Sequence, residues 1–292
     1  MTGQFHQPVL LHESIEALKI RPGKIYLDLT VGSGGHTRKI LKKGGKVYGL
    51  DVDPAAVLRA KKRLEKACPG AFFYLEVGNF AKVSAFAAFW GLRSAAGILM
   101  DLGLSSEQLA DESRGFSFLS QSPLDMRADP TLAVTAADLL NVLTFKELTK
   151  LFNKLGQEPL GFSKKLSGVI VDWRKSQKLA TTGQLVDLVS RVKRGQGRIH
   201  PATKTFQALR IAVNDELNSL KTALPQAVDL LAPGGRLVVI SFHSLEDRLV
   251  KNFFKGRSDL KIITKKPVRP DPEEINANPR ARSAKLRAGE KL

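Results

Sequence analysis

The sequence predicts an α/β fold built on a parallel, doubly wound sheet, and three observations carry that expectation. Ile25 to Leu29 is a short apolar run ending in the glycine cluster Gly32-Ser33-Gly34-Gly35, the pattern of a buried strand entering a tight turn. Thr37 to Leu41 can open a helix and Val47 to Leu50 reads as the next strand, so the glycines fall at the first turn of a strand–turn–helix–strand unit, where such sheets bind nucleotide-like ligands. The α/β pattern then returns late in the chain, with a strand over Arg236–Ser241 feeding a helix.

Within the first unit, Gly32 and Gly34 take Cβ atoms out of a ligand's path. Asp51 ends the second strand, where a carboxylate accepts hydrogen bonds from both ribose hydroxyls. A dinucleotide fingerprint starting at Gly32 requires glycine at position 37, which is Thr37. Asp28 and His36 also crowd the space a pyrophosphate needs. An acid on the preceding strand better suits a zwitterionic ligand, whose ammonium needs an acceptor, and S-adenosylmethionine is such a ligand. The bland alternative is a plain βαβ turn with a structural Asp.

The 292 residues suffice for one large or two modest domains. A net charge of +18 implies a polyanionic partner, nucleic acid or an anionic membrane surface. No apolar run approaches a membrane span, which leaves nucleic acid. The single cysteine, Cys68, excludes an internal disulfide framework and suits a reducing cytoplasm.

In chain order, His12 to Ile20 reads as a lead-in helix ended by Arg21-Pro22-Gly23. Asp53 and Pro54 start a further helix as N-cap and first residue, so Asp51 rather than Asp53 is the ligand candidate. Phe72 to Leu75 reads as a third strand, and Phe80 beyond it can flank an adenine ring or fill the core. Ala96 to Met100 is a fourth strand ending in Asp101, an acid at the carboxyl edge of the sheet. From 108 to 200 helices follow without strand alternation, over Ala136–Leu143, Phe145–Leu155, Lys164–Trp173 and Thr182–Val192. Lys146 to Arg198 holds 12 Lys or Arg against 4 Asp or Glu, which favours nucleic-acid contact over a merely solvated face. His200 to Arg210 leads into a long helix with Leu217, Leu220, Leu224, Val228 and Leu231 on one stripe, and Pro225 is expected to kink or split it. From Arg248 onward there are 13 Lys or Arg against 5 Asp or Glu, read as a basic arm contacting phosphates, with Arg280, Arg282 and Arg287 prominent. The expected domains are 1–107 and 201–260 for the sheet, 108–200 for a helical insertion and 261–292 for the arm.

Longer motifs then carry a resemblance. His6-Gln7-Pro8-Val9, the 32–36 loop, Asp101-Leu102-Gly103-Leu104, Arg114-Gly115-Phe116, Pro123-Leu124-Asp125-Met126-Arg127, His200-Pro201-Ala202-Thr203, Ser241-Phe242-His243-Ser244-Leu245-Glu246-Asp247 and Asn278-Pro279-Arg280 occur in this order. By them the chain resembles the bacterial RsmH (MraW) family, ribosomal RNA small-subunit cytosine-N4 methyltransferases, nearly end to end. The resemblance implies a Rossmann-like class I S-adenosylmethionine-dependent methyltransferase with an inserted helical domain. It further implies transfer to the exocyclic N4 of one cytidine in the decoding region of 16S rRNA, in the cytoplasm. The cofactor contacts it implies are Gly34, Gly35, His36, Asp51, Phe80, Asp101 and Gln108. Departures are Gly156-Gln157-Glu158 for Gly-Glu-Glu, Ser33 in the glycine loop, and Leu104 and Glu107 for Val and Pro.

Cytosine N4 is a poor nucleophile because its lone pair is delocalised, so catalysis rests on in-line positioning and on an acceptor for the amine N–H. Asp101 is the first candidate; Asn214 and His243 are second, with His243 read as a structural hydrogen-bonder ahead of a base. Phe242 can stack on an extruded base. Attack at cytosine C5 would need a cysteine, and Cys68 is far in pattern from the site loops. No Cys/His grouping has metal-ligand spacing, so no metal is expected.

Overall fold

The computed structural model describes residues 8–118, 121–193 and 200–292. His6, Gln7 and Arg198 lie outside them. The chain divides into two compact units, one comprising Met1–Gly103 and Leu217–Leu292, the other Leu104–Glu216.

The first unit opens with α1 (Leu11–Leu18), β1 (Ile25–Asp28), α2 (Gly35–Lys42), β2 (Lys46–Asp51), α3 (Pro54–Ala67), β3 (Phe73–Val77), α4 (Val83–Phe89) and β4 (Ala95–Asp101). The second unit holds α5 (Ser106–Ala110), α6 (Ala136–Val142), α7 (Phe145–Lys154), α8 (Leu160–Trp173), α9 (Thr182–Val192) and α10 (Thr203–Val213). The first unit resumes with α11 (Glu216–Asp229), β5 (Leu231–Ser241), α12 (Ser244–Gly256), β6 (Leu260–Ile262), α13 (Pro272–Ala277) and β7 (Lys285–Lys291).

The seven strands lie in the order β3-β2-β1-β4-β5-β7-β6. β1 to β5 pair in parallel and β7 runs antiparallel to both β5 and β6, a Rossmann-like sheet with one reversed strand. Because side chains alternate across a strand, β4 sends Leu99 to one face and Ile98 and Met100 to the other. Leu18, Ile40 and Leu64 of α1, α2 and α3 cover the first face. Leu224, Val228 and Phe254 of α11 and α12 cover the second. The order reverses between β1 and β4, so a crevice opens at their carboxyl ends.

Local chemistry explains the breaks. Asp53 caps α3 by accepting the Ala55 N–H at 3.0 Å, with Pro54 in the first turn. The expected helix striped by Leu217, Leu220, Leu224 and Val228 is α11, and the segment leading into it forms a helix of its own, α10, separated from α11 at Asp215, whose φ is 47°. Pro225 sits inside α11 without ending it.

The expected basic arm over 261–292 is corrected by the sheet itself. β7 lies between β5 and β6, and Leu286 and Ala288 are buried on the first face. Arg287 is 7% exposed and donates to Asp247 at 2.7 Å, with Lys285 3.2 Å from the same carboxylate. This segment is structural.

The second unit has its own core, centred on Leu140, Leu148, Phe152, Leu166, Leu185 and Leu209. Thr135, Thr144 and Thr181 start α6, α7 and α9 through capping boxes with Asp138, Glu147 and Gln184. The unit extends beyond the expected 108–200 because α10 packs on α6 and α7. No helix among the described residues is long and apolar enough to cross a membrane.

Candidate active site

The carboxyl ends of β1, β2 and β4 supply one acid each. Asp28 is buried; its Oδ2 accepts the Thr37 hydroxyl at 2.6 Å and its Oδ1 the Thr30 N–H at 3.3 Å. Burial pushes it up to about 6, against those hydrogen bonds and with help from the charge of Asp51. Asp28 therefore ties β1 to the first turn of α2 before it does anything for a ligand.

Asp51 closes the glycine turn. Its Oδ2 accepts the Gly32 N–H at 2.7 Å and its Oδ1 the Asp53 N–H at 2.9 Å. Gly32 makes this bond at φ 52°, a left-handed conformation that favours glycine. Burial raises the Asp51 carboxyl, while the Asp53 and Gly32 amides oppose the shift. Each oxygen keeps acceptor capacity beyond its one amide, as a ribose diol requires.

Gly34 caps α2, and Gly35 is its first residue. The absence of a side chain at Gly35 serves packing: an added Cβ would overlap the Pro8 ring. The segment carrying Pro8 is held further on by the Leu10 N–H, which donates to Glu274 at 2.7 Å.

Asp101 ends β4, its N–H donating to the Thr30 hydroxyl oxygen at 2.6 Å. Its Oδ2 lies 3.7 Å from His36 Nδ1, and its side chain is 22% exposed. Its Oδ1 is nevertheless shut off from solvent and has no hydrogen-bond partner among the described residues. Burial first, then the charges of Asp28 and Glu246, push Asp101 up to about 8.

Glu246 belongs to the start of α12. Its Oε2 accepts the Phe242 N–H at 2.8 Å and the His243 N–H at 3.3 Å. His243 in turn caps the helix, Nδ1 accepting the Glu246 N–H at 3.4 Å and Nε2 lying 3.2 Å from Glu246 Oε1. His243, a second candidate for catalysis, takes part here in a capping box. The Phe242 ring packs over Gly103. Phe80, half-buried in a 3-10 turn after β3, packs against the second core face.

Two expected site residues belong to the second unit. Gln108 is buried and completes the capping box of α5, its Oε1 accepting the Ser105 N–H at 2.9 Å. Asn214 clamps a loop: Oδ1 accepts the Ala128 N–H at 2.6 Å, and Nδ2 donates to the Met126 and Arg210 carbonyls at 2.8 and 2.9 Å. Its amide oxygen and nitrogen both bond backbone groups here.

The sheet edge thus gathers Asp28, Asp51, Asp101 and Glu246, close enough that the charge of Asp51 raises Asp28 and those of Asp28 and Glu246 raise Asp101. Such a rim, with one buried carboxylate oxygen lacking a donor, fits a ligand that brings positive charge and N–H groups. Sequence reasoning missed Thr30, Glu246 and Pro8. Only Glu246 had a readable signal, its place three residues after the cap.

The chain matches the MraW methylase family over residues 3–292. It is 48% identical over 309 residues to ribosomal RNA small subunit methyltransferase H of Thermomicrobium roseum, covering 98% of this chain and 94% of that one. The enzyme of the same name from Heliobacterium modesticaldum is 47% identical over 312 residues, covering 98% of each.

Proposed function

Because the chain belongs to the MraW methylase family, we propose that it methylates the exocyclic N4 of a cytidine in the decoding region of 16S rRNA. The coarser statement stands on membership: it is an S-adenosylmethionine-dependent methyltransferase of small-subunit ribosomal RNA.

One observation carries the reading at the level of residues, the buried and unpartnered Oδ1 of Asp101 at the carboxyl edge of β4. When bound, S-adenosylmethionine supplies a methyl group on a sulfonium that needs no help to leave. Asp51 holds the ribose hydroxyls, the Gly34–His36 turn shapes the methionine end, and Phe80 flanks the adenine. Gln108 is retained as a cofactor contact by the family pattern. The acidic rim favours the ligand's positive charge. Asp101, held by Thr30 and faced by His36, would accept an N–H of the target amine as its nitrogen becomes tetrahedral, in the ionised form that a bound cationic cofactor favours.

The test is methyl transfer from labelled cofactor to small subunits lacking the modification, with the product nucleoside identified by mass spectrometry. N4-methylcytidine is expected. A methyl group on C5, on ribose or on another base overturns the reading.

A further inference from the structure

The opposite end of the same sheet carries a second charged surface. Four loops, at 19–24, 42–46, 66–72 and 90–94, lead from helices into β1, β2, β3 and β4. Together they contain eight Lys or Arg and no Asp or Glu, and all eight cations are exposed. The loops brace one another. The Gly23 N–H donates to the Gly44 carbonyl and the Lys46 N–H to the Lys24 carbonyl, each at 2.8 Å, which sets Lys24 and Lys46 side by side.

Aromatic rings adjoin these cations. α4 is only seven residues long, and the β2–β3 side of that face keeps Phe72 47% and Tyr74 43% exposed. Tyr48 lies 5.5 Å from Phe72 and 5.3 Å from Trp90 between ring centroids, forming a contiguous aromatic floor. Lys46 Nζ sits 5.9 Å from the Phe72 ring. The floor ends where Tyr74 donates its hydroxyl hydrogen to Glu76 at 3.1 Å.

We propose that this end of the sheet is a second RNA-docking surface, on which exposed lysines including Lys24, Lys43 and Lys46 hold phosphates and Phe72 stacks an unpaired base of a non-target ribosomal RNA segment. Exposed cations beside exposed aromatic rings are the combination that binds single-stranded RNA. Lys46 and Asp51 end the same strand, about 17 Å apart at the usual rise per residue. The surface therefore engages RNA away from the cytidine being modified and reads the larger substrate. The proposal rests on the reading that the substrate is ribosomal RNA.

Filter binding across a salt series tests it, with two probes: naked 16S rRNA and a short hairpin bearing the target cytidine. For the Lys24→Gln/Lys43→Gln/Lys46→Gln variant, the log–log salt slope on 16S rRNA should fall by about 2 to 3, at roughly 0.7–0.9 per lost phosphate contact. The slope on the hairpin should not change. Phe72→Leu should weaken 16S rRNA binding roughly tenfold, the size of one lost base stack. Melting curves guard against misfolding, and if the triple variant fails to fold, Lys46→Gln alone should lower the slope by about 0.7–0.9. An unchanged slope on 16S rRNA, or an equal fall on both probes, overturns the proposal. So does a Phe72→Leu defect that appears only in self-association by sedimentation, or only on phosphatidylglycerol vesicles. Binding is read without methyl transfer, so a chain that docks 16S rRNA here but makes no N4-methylcytidine would sink the functional reading and leave this surface standing.

Discussion

Asp101 and His36 face each other across the sheet edge, Oδ2 3.7 Å from Nδ1, while the second carboxylate oxygen of Asp101 is buried without a donor. The acid thus faces an imidazole through one oxygen and buries the other, and burial with the charges of Asp28 and Glu246 raises it to about 8.

Proton linkage follows from that shift. Raised above its ordinary 3.8, the folded Asp101 holds its proton more tightly than the unfolded chain does. Its contribution to the stability of the ligand-free protein is full at low pH and is lost as pH rises through about 8. Asp28 adds the same sign, lost as pH rises through about 6. A cationic cofactor favours the ionised acid, so its binding at pH 7 should release protons. Calorimetry in buffers of different ionisation enthalpy reads this, and Asp101→Asn should remove most of the release and flatten the fall in melting temperature between pH 6 and 8. Unchanged proton release in the variant would place the titration elsewhere.

Asp51→Ala removes the acceptor of two backbone amides, Gly32 and Asp53. It should cost about 2–3 kcal/mol of stability, at the usual scale for hydrogen bonds to a charged group. Cofactor affinity should also fall at least about tenfold, one such bond's worth. Calorimetry at a temperature where the variant is folded separates the two losses. Undiminished affinity would confine Asp51 to holding the turn.

Gly35→Ala should destabilise the protein by about 1–3 kcal/mol, the range for overpacking, because the new Cβ meets the Pro8 ring. Adding Pro8→Ala should recover much of that loss in denaturant melts. If cofactor affinity drops in Gly35→Ala and stays low in the double variant, the glycine also lies against the ligand.

Arg287→Ala leaves Asp247 without its closest partner in a mostly buried pair. A loss of about 1–3 kcal/mol is expected in denaturant melts, the scale of a hydrogen bond to a charged group, because Lys285 still faces the carboxylate at 3.2 Å. Arg280 and Arg282 are exposed by contrast, and neutralising them should leave the melt nearly unchanged.

The sheet core was legible because its strands are apolar runs punctuated by glycine and acid, and the α3 start because Asp53 and Pro54 form a cap with a single meaning. The helical insertion showed as a change of period. β7 stayed hidden because its polar residues pair inside the fold: Lys285 and Arg287 look like an arm until Asp247 is seen beside them. His243 could be read as a structural hydrogen-bonder, but the amide it serves, that of Glu246, comes into view only in the fold. The packing role of Gly35 stayed hidden because its neighbour, Pro8, comes from a segment that periodicity does not place.

Ile98 pairs with Leu237 at the centre of the sheet, and the whole of Leu104–Glu216 is threaded between them. Joining distant strands is slow, since loop closure must precede the reward of pairing. The equilibrium penalty of the insertion is small, about 0.6 kcal/mol per doubling of loop length. Its burden falls on the order of events: as the chain emerges, β1 to β4 appear with no β5 to cover the β4 edge, while the helices between rely on local contacts and capping boxes and can form at once. Until β5 arrives, that bare edge is where a nascent copy is most exposed to pairing with the wrong chain.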